Sequence, residues 1–317
     1  MSKTRRIILP LAGGLGNQLF QFAHAMARSC GSEILILSGV FALRSNKEGD
    51  PELLDFNLPQ NVSVQTSSKN FQRSLTKLSS LILRIGVSNF PTLLKKSLLS
   101  ILYPVATLIF RLNTGIWAQV FAGTNIGFSN AGNQNTSVVY IGYFQSYRWL
   151  EGTSLENLTL SPLGLRDVSP LCELIINSSQ EKRILGIHVR LGDYRQEPKI
   201  GLLPKQYYED ALKLLELHKY DEIWVFTNDK QGAELILPDF KDSNIFWIPM
   251  ELSSAETLTL MTYCTDFIIS NSTFSWWGAY LNRNENCVVI CPEVWFEKAE
   301  DPVELCPPGW LRIGSFS

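Results

Sequence analysis

The sequence predicts an α/β protein with two domains, each built on a doubly wound parallel sheet. Three observations carry this prediction. The 317 residues are about the length of two domains. The chain opens with a strand, a glycine turn, a helix and a second strand, and its second half alternates strands and helices. The composition, 45% hydrophobic and 18% charged, is typical of a folded globular protein.

The first βαβ unit lies in the opening segment RRIILPLAGGLGNQLFQFAHAMARSCG. Ile7 to Leu11 reads as a buried strand, glycines form a turn, and apolar residues then recur at helical spacing until Gly31 ends the helix. EILILS follows as the next strand. A strand, a helix and a strand in this order predict parallel pairing. The short apolar run before the glycines predicts neither a signal peptide nor a membrane anchor.

A helical insertion is expected in the first domain between about residues 70 and 128. The segment LLKKSLLSILYPVATLIF is leucine-rich and cationic, and its longest uncharged run is too short to span a bilayer. Pro91 and Pro104 are expected to break it into short helices. The polar stretch NSSQEK is predicted to join the domains, which then cover residues 1–180 and 181–317.

The second domain is predicted to alternate strands and helices along its whole length. The predicted strands, each with the loop that follows it, are RILGIHVRLGDY, DEIWVFTND, NIFWIPM, DFIIS and NCVVICPEVWF. The predicted helices are KQYYEDALKLLELHK, AETLTLMTYCT and the segment after DFIIS. Ligands of parallel sheets bind beyond the carboxyl ends of the strands, so the residues directly after each strand are the candidates for a site.

The first candidate is the glycine turn of the opening unit. Gly13, Gly14 and Gly16 allow backbone N–H groups to approach an anion at a helix N-terminus, and Asn17 and Gln18 add amide donors. The turn is not a P-loop, because no Lys-Ser/Thr pair follows, and it lacks the G-x-G-x-x-G spacing. The alternative is a tight strand-to-helix turn without a ligand.

The second candidate follows the strand ILGIHVR. His188 and Arg190 project to the same side of the strand, Gly192 turns the chain, and Asp193 returns a carboxylate to the neighbourhood. The planar guanidinium of an arginine suits a phosphate, which it binds in a bidentate manner. The alternative is a structural Arg190–Asp193 pair with His188 buried in the core.

The third candidate is the segment SNSTFSWWGAYLN. Asn271, Ser272 and Thr273 lie in a turn before a helix that begins near Phe274, so amide, hydroxyl and N–H donors meet the positive end of a helix. Two tryptophans follow and are expected to hold the loop rigid by packing behind it. The alternative is simple N-capping over an aromatic core. No strand end carries a D-x-D or H-x-x-H cluster, so no metal site is predicted.

Charge and cysteine content bear on partners and location. The formal net charge of −2 gives no argument for nucleic-acid binding, and six cysteines without a C-x-x-C pair favour a reducing cytoplasm. No acidic residue occurs between Asp55 and Glu151, whereas eight basic residues do. Two interpretations of this stretch remain open: a helical scaffold whose leucines form core, and a patch over residues 69–111 that contacts the anionic inner membrane.

Five segments occur in the order and spacing of a known family: GGLGNQLFQFA (13–23), GYFQS (142–146), GIHVRLGDY (186–194), VFTND (225–229) and ISNSTFSWWGAYL (269–281). Together they resemble the α-1,2-fucosyltransferase family, glycosyltransferase family 11, of the bacterial type. The resemblance covers nearly the whole chain except about residues 60–130.

The resemblance implies a GT-B-type fold of two facing Rossmann-like domains, with the acceptor on the N-terminal domain and the GDP-sugar on the C-terminal one. It implies a galactoside α-1,2-fucosyltransferase that moves fucose from GDP-fucose, with inversion and without a metal or other cofactor, to an oligosaccharide. Surface-glycan synthesis such as that of O-antigen, on a lipid-linked acceptor at the cytoplasmic face of the membrane, would fit this activity. It also implies that Arg190 holds the donor pyrophosphate and that the loop Asn271–Phe274 lies beside it.

One departure from the family pattern keeps alternatives open. Family members commonly carry two arginines where this chain has Arg190-Leu191. A second arginine would face away from Arg190, so its loss bears on donor choice more than on fold. A sibling glycosyltransferase with another nucleotide-sugar and a non-catalytic nucleotide- or glycan-binding protein are the alternatives. The nearest candidates for the catalytic base are Asp193 and His188, and Asp229 is placed to bind guanine N–H groups.

Overall fold

The computed structural model describes residues 5–38, 51–66, 77–78, 81–82, 84–85, 88, 90–114, 118–122, 127–128, 136–151, 164–240, 244–282, 284 and 286–316. Contacts divide the chain into two compact units. Unit 1 is Met1–Thr159 with Pro302–Cys306, and unit 2 is Leu160–Asp301 with Pro307–Ser317. Each unit contains one parallel sheet, so the predicted α/β class is confirmed.

The sheet of unit 1 has five strands in the order β3-β2-β1-β5-β4, all parallel. The strands are β1 (Arg6–Leu9), β2 (Glu33–Ser38), β3 (Val62–Thr66), β4 (Gln119–Ala122) and β5 (Val138–Ile141). The helices of its described part are α1 (Leu15–Ser29) and α2 (Thr92–Thr114), with 3₁₀ turns at Glu52–Asp55 and Tyr147–Trp149. Ile7 and Ile8 of the central strand are fully buried, as expected for a sheet covered on both faces.

Helix α2 corrects two expectations about the insertion. Pro104 lies inside one continuous helix and does not end it. A proline in a helix interior costs about 3 kcal/mol, and here the packing of Leu99, Ala106 and Phe110 on the core offsets that cost. The expected helical insertion also contains a strand, because β4 pairs with β5 at the sheet edge. Residues 70–76, 115–117 and 123–126 of the insertion lie outside the described residues.

The length of α2 bears on the expectation that no segment here could span a bilayer. The helix is long and apolar enough over Thr92–Leu112 to cross a membrane by length and composition alone, with a mean hydropathy of 1.5. Only 22% of its most apolar window is buried inside the protein. Lys95, Lys96 and Arg111 lie within this helix. The longest uncharged run in the sequence is therefore shorter than the helix itself.

The sheet of unit 2 has six strands in the order β11-β10-β9-β6-β7-β8, all parallel. The strands are β6 (Ile184–Val189), β7 (Glu222–Thr227), β8 (Ile245–Trp247), β9 (Asp266–Ile268), β10 (Val289–Pro292) and β11 (Leu311–Ile313). The helices are α3 (Pro170–Ser178), α4 (Lys205–Lys213), α5 (Lys230–Ile236), α6 (Ser254–Met261) and α7 (Thr273–Tyr280), with 3₁₀ turns at Gly192–Gln196 and Leu217–Lys219.

The division between the units differs from the predicted join near residue 180, because it falls before Leu160. Helix α3 belongs to unit 2, where it is tied to α6. The Ser169 N–H donates to Glu256 Oε1 (2.8 Å), and the same carboxylate completes the capping box of α6 with Ser253. NSSQEK is therefore the turn between α3 and β6.

The segment Pro302–Cys306, which was expected in the second domain, belongs to unit 1. The Ser146 hydroxyl donates to the Glu304 carbonyl (2.8 Å), and Arg148 pairs with the Glu304 carboxylate (3.1 Å). These contacts join residues far apart in sequence, which explains why sequence continuity alone misplaced the segment.

Candidate functional site

The carboxyl ends of β9, β6 and β7 lie side by side in unit 2, because these strands are consecutive in the sheet. The predicted residues His188, Arg190, Asp193 and Asn271 all follow or end these strands. Their common edge is where ligands of parallel α/β sheets bind. The structure therefore brings the second and third predicted constellations to one place.

Arg190 is the cation of this edge. Its guanidinium makes a bidentate pair with Asp193, with Nε to Oδ1 at 3.0 Å and Nη2 to Oδ2 at 3.1 Å. The Arg190 side chain is 30% exposed and lies 5.5 Å from the centre of the Tyr194 ring. The Tyr194 hydroxyl in turn donates to the Asn271 carbonyl (3.3 Å). The pair orients the arginine while part of it stays open to solvent, so the structural and ligand-binding interpretations of Arg190 are compatible.

The turn after Arg190 is fixed by contact with the end of β7. Asn228 accepts from the Leu191 N–H (3.1 Å) and donates to Asp193 Oδ1 (3.4 Å). A Cβ at Gly192 would collide with the Asn228 amide, so a larger residue there would displace the Asn228 side chain from this contact. The Leu191 side chain is 4% exposed and packs in the core cluster of unit 2, away from the open side of Arg190.

His188 is buried and neutral. Its Nδ1 lies 2.7 Å from the Ser270 hydroxyl, and the residue is 3% exposed. Burial lowers the pKa of His188 to about 3, and the neighbouring Arg190 acts in the same direction. A group with so low a pKa is a weak base at neutral pH. These features favour the alternative of a core histidine that supports the loop after β9, and the catalytic role of His188 stays a prediction.

The loop before α7 uses its side-chain donors internally. Asn271 is 1% exposed, and its amide nitrogen donates to the carbonyls of Ile200, Gly201 and Trp295, each at 3.2 Å. The Ser272 hydroxyl accepts from the Phe274 N–H (3.3 Å) and caps α7. Asn271 thereby links the loop before α7 to the loops at residues 200–201 and 295. The predicted contact of Asn271 and Ser272 with a donor phosphate stays a prediction.

The aromatic residues behind the loop behave as the sequence predicted. Trp276 and Trp277 are 0% and 1% exposed. Trp276 stacks on Tyr280 with ring centres 4.8 Å apart and contacts Trp310 at 5.4 Å. Packing of this density fixes the start of α7, where Thr273 is the first helical residue.

Asp229 has a local partner for each oxygen. Oδ1 accepts from the Gly232 N–H (3.0 Å) at the N-terminus of α5, and Oδ2 pairs with Arg195 (2.6 Å). The Gly232 N–H and Arg195 hold the pKa of Asp229 below its usual value against the opposing effect of desolvation. The carboxylate therefore caps a helix, and its predicted contact with guanine stays a prediction.

The glycine turn of unit 1 is occupied by a side chain of the same unit. The Leu15 N–H, at the N-terminus of α1, donates to Glu52 Oε2 (2.8 Å). Gly13 has a φ of +77°, and a Cβ there would lie 2.6 Å from the Asn17 amide nitrogen, so glycine is required. Gly14 is exposed, whereas Gly16 is buried within the helix. The predicted anion position thus holds a carboxylate.

The two amide side chains of this turn are engaged as well. Gln18 is 2% exposed, donates to the Gly13 carbonyl (2.9 Å) and accepts from the Leu53 N–H (3.0 Å). Asn17 Oδ1 accepts from the Gln145 amide (2.8 Å). Phe144, just before Gln145, has a φ of +52° and stacks on His24 at 3.8 Å. The GYFQS motif therefore positions Asn17.

Sequence reasoning missed several residues of these turns. Gln145, Asn228, Tyr194 and Ser270 each bond to a predicted site residue, and Glu52 bonds to the Leu15 N–H of the glycine turn. The first four lie within the motifs that carried the resemblance, which was the one available signal. Glu52 follows a stretch without periodicity, and nothing local pointed to it. Within the described residues no group of three or more His, Cys, Asp or Glu side chains could hold a metal ion.

Comparison with known proteins shows what the chain is similar to. Residues 164–312 match the model described as glycosyl transferase family 11. The E. coli O-antigen biosynthesis glycosyltransferase WbnK is 29% identical over 96% of this chain and 99% of that protein. An E. coli alpha-1,2-colitosyltransferase is 23% identical over 97% of this chain and 98% of that protein. The mouse galactoside alpha-(1,2)-fucosyltransferase 2 is 28% identical over 44% of this chain and 43% of that protein.

A solved structure supports the fold class. The E. coli ADP-heptose LPS heptosyltransferase II has a TM-score of 0.50 at 12% identity, over 98% of this chain and 90% of that chain. At this identity the similarity concerns the fold alone. Two parallel α/β sheets with this neighbour confirm the GT-B-type class.

Proposed function

We propose, from the match of residues 164–312 to the model described as glycosyl transferase family 11, that the chain is a member of that family and an inverting galactoside α-1,2-fucosyltransferase. GDP-fucose is the proposed donor, and a galactose hydroxyl of an oligosaccharide is the proposed acceptor. A broader description of the chain, as a glycosyltransferase that uses a nucleotide-sugar, is supported by the family match and by relatives that span nearly the whole chain.

One observation supports a specific chemical role for this site. Arg190 lies at the carboxyl end of the central strand β6, is oriented by Asp193, and keeps 30% of its side chain exposed. A guanidinium held in this way is suited to a diphosphate, because its donors are fixed before the ligand arrives. The family relationship supplies the nucleotide-sugar to which the diphosphate belongs.

Charge development explains how Arg190 would accelerate transfer. In an inverting reaction the bond between the sugar and the diphosphate breaks while the acceptor oxygen attacks from the opposite face. Negative charge grows on the leaving diphosphate, and positive charge grows on the sugar ring. A cation at the phosphate therefore stabilises the transition state more than the ground state, which is the condition for catalysis.

The proton of the acceptor hydroxyl needs a base, for which Asp193 is the better of the two predicted residues. Asp193 has a side chain that is 57% exposed, whereas His188 is buried with a pKa of about 3. The pairing of Asp193 with Arg190 holds its carboxylate beside the proposed diphosphate, whereas the acceptor hydroxyl attacks the opposite face of the sugar, so Asp193 would have to release Arg190 to act as the base. In this assignment His188 supports the Ser270 loop.

The biological setting of the proposal comes from the relatives. The names of two relatives that span the chain refer to O-antigen biosynthesis and to an α-1,2 transfer. We propose a role in bacterial surface-glycan synthesis, with an acceptor carried on a lipid at the cytoplasmic face of the inner membrane. The colitosyltransferase favours one specific second candidate, in which the same site transfers a sugar other than fucose.

A donor panel tests the proposal. The purified chain is incubated with GDP-fucose, nucleotide-activated colitose, GDP-mannose or UDP-galactose and a galactoside acceptor, and the product linkage is determined by NMR. We expect acceptor-dependent consumption of GDP-fucose and an α-1,2-linked product. Turnover with another donor and none with GDP-fucose would establish the second candidate. GDP binding without turnover of any donor would make the protein a non-catalytic binder.

Metal independence is part of the proposal. The cationic groups proposed at the diphosphate are protein side chains, so no divalent ion is needed to neutralise the leaving group. The donor panel is repeated with EDTA, and we expect an unchanged rate. A rate that falls with EDTA and returns with Mg²⁺ or Mn²⁺ would contradict this part alone.

A further inference from the structure

Helix α2 has two apolar stripes on opposite sides. The inner stripe packs on the core of unit 1, where Leu99, Ala106 and Phe110 are at most 1% exposed. The outer stripe consists of Leu94, Ile101, Val105, Leu108 and Leu112, with exposed fractions of 44%, 68%, 50%, 54% and 75%. Its spacing of three, four or seven residues places all five side chains on one helical face.

A surface helix normally presents polar residues on the face opposite the core. Here that face is apolar over about five turns, and Leu93 adds a further side chain that is 80% exposed. Single exposed leucines are common in soluble proteins, whereas a continuous stripe of this length marks an interaction surface. The outer stripe therefore requires a partner with an apolar component.

The charges around the outer stripe are of one sign. Lys96 and Arg111 are exposed on the same helix, and Lys77 and Arg84 are exposed just before it. No acidic residue occurs between Asp55 and Glu151 in the sequence. The basic residues Lys69 and Arg73 of this stretch lie outside the described residues. The partner must therefore carry negative charge together with apolar groups.

An open surface groove with a mixed polar and apolar lining lies beside the stripe. It has a volume of about 540 Å³ and lies between α2 and the edge strand β4. Arg111, Ser100, Thr107, Tyr103 and Gln119 contribute polar groups to its lining, and Leu108 of the outer stripe borders it. A guanidinium and hydroxyl groups next to exposed leucines match an anionic headgroup attached to acyl chains.

We propose that the outer stripe and its basic flank dock on the surface of an anionic lipid bilayer. Helix α2 lies in the plane of the interface, with the outer stripe in the acyl boundary and the lysine and arginine side chains among the headgroups. The contact is peripheral, because the inner stripe is packed against unit 1 and is not available to lipid. This inference rests on the described surface and not on the proposed transfer reaction.

Two alternatives for this face are unfavourable: contact with a second copy of the chain and a transmembrane arrangement of α2. A second copy bound through the same face would bring two acid-free basic surfaces together, which is unfavourable. A transmembrane arrangement would require the inner stripe, including Lys95 at 8% exposure, to leave the core and enter lipid. An anionic bilayer meets both the apolar and the electrostatic requirements.

Vesicle co-sedimentation tests the inference with the full chain and three double variants. Ile101→Glu with Leu108→Glu disrupts the stripe, and Lys96→Glu with Arg111→Glu reverses the flank. The matched control, Leu174→Glu with Leu235→Glu, changes two leucines of unit 2 that are 66% and 79% exposed. The vesicles are phosphatidylcholine alone or phosphatidylcholine with phosphatidylglycerol, at low and high salt, and circular dichroism checks folding.

We expect the parent and the control to bind only the vesicles with phosphatidylglycerol, less at high salt. A basic residue near an anionic surface contributes about 1 kcal/mol, or about fivefold in partitioning, so the flank variant should bind at least about tenfold more weakly. The stripe variant should lose binding to a similar extent.

The inference is overturned by a parent that ignores anionic vesicles at low salt, or by stripe and flank variants that bind as the parent does. A parent dimer that the stripe variant converts to monomer, without vesicle binding, would assign the face to a second copy. Resistance of the bound chain to alkaline carbonate would indicate a spanning helix. Sugar transfer to a soluble galactoside is measured in parallel. A parent chain that transfers normally but does not bind vesicles would refute this inference and leave the proposed function intact.

Discussion

Two turns of the molecule have the same local architecture and opposite electrostatic character. In unit 1, β1 leads through Gly13 and Gly14 into α1, and in unit 2, β9 leads through Asn271 and Ser272 into α7. The first turn has the Glu52 carboxylate on its helix N-terminus (2.8 Å). The second is linked through Tyr194 to the Arg190 guanidinium. A helix N-terminus that already binds a carboxylate is a poor site for a diphosphate, whereas one beside an arginine is a good one.

The comparison shows that donors in a turn do not by themselves identify an anion site. Gln18 and Asn271 are both buried amides, and both bond to backbone groups of their own unit. They hold their turns together. The difference in charge comes from Glu52 and Arg190, both of which lie far from their turns in sequence. We therefore expect the diphosphate at the turn of unit 2. Variants in both turns test this expectation and the contacts that hold the turns.

Arg190→Ala should have the largest effect. Loss of a charge-assisted contact at a developing charge costs about 2–4 kcal/mol of transition-state stabilisation, so kcat/KM should fall about 30- to 1,000-fold. Thermal stability should hardly change, because a partly exposed ion pair contributes at most about 1 kcal/mol. The matched control is Arg183→Ala, an arginine at the opposite end of β6. Near-normal kcat/KM in Arg190→Ala would refute the position of the diphosphate.

Asn271→Ala should destabilise the protein by about 2–3 kcal/mol. It removes the donor to three carbonyls, at Ile200, Gly201 and Trp295. The Ile200 carbonyl keeps the Glu297 N–H, whereas the buried Gly201 and Trp295 carbonyls lose this donor. Ser272→Ala, which removes only a helix cap, should cost about 1 kcal/mol. Urea denaturation measures both. If Asn271 instead binds a phosphate directly, its variant should keep its stability and lose GDP affinity, as measured by calorimetry.

Acid should weaken unit 2 through His188. The pKa of His188 is about 3 in the folded protein and about 6.5 when unfolded. Below pH 6.5 the unfolded chain binds the proton more readily, so stability falls as the pH falls, by about 2 kcal/mol from pH 7 to pH 5. Between pH 7 and pH 5 the free energy of unfolding of His188→Gln should fall by about 2 kcal/mol less than that of the parent. The buried His24 is present in both proteins, so its effect cancels in the comparison. Equal sensitivity in urea denaturation would show that His188 is not held neutral.

Glu52→Gln should have the smallest effect. The amide oxygen can still accept from the Leu15 N–H, so only the charge at the N-terminus of α1 is lost, at a cost of about 0.5–1 kcal/mol. GDP affinity should be unchanged, because the diphosphate lies elsewhere. Glu33→Gln, a carboxylate at the amino end of β2, is the control. Tighter GDP binding in Glu52→Gln alone would indicate that the glycine turn is a phosphate site after all.

Most of the fold could be predicted from local patterns. Glycine turns, apolar strands and amphipathic helices recur at spacings that depend on the backbone alone, so the parallel sheets of both units were predictable. The burial of Trp276 and Trp277 followed from composition in the same way. The strands β3, β4, β5 and β11 and the helices α3 and α5 were not predicted. β4 lies in a stretch read as helical, and α3 precedes a polar turn read as a domain join.

The sequence by itself determined the α/β class, the resemblance to a glycosyltransferase family, and the prediction of Arg190 as a cation at the site. These depend on nearest neighbours along the chain and on motif spacing. Tertiary structure alone decided which donors are engaged: Asn271 bonds to residues 24 to 71 positions away, and Leu15 to a residue 37 positions away. It also decided that α2 continues through Pro104 and presents a second apolar stripe. Hydrogen bonds and burial between distant segments depend on how the elements pack, which no local pattern records.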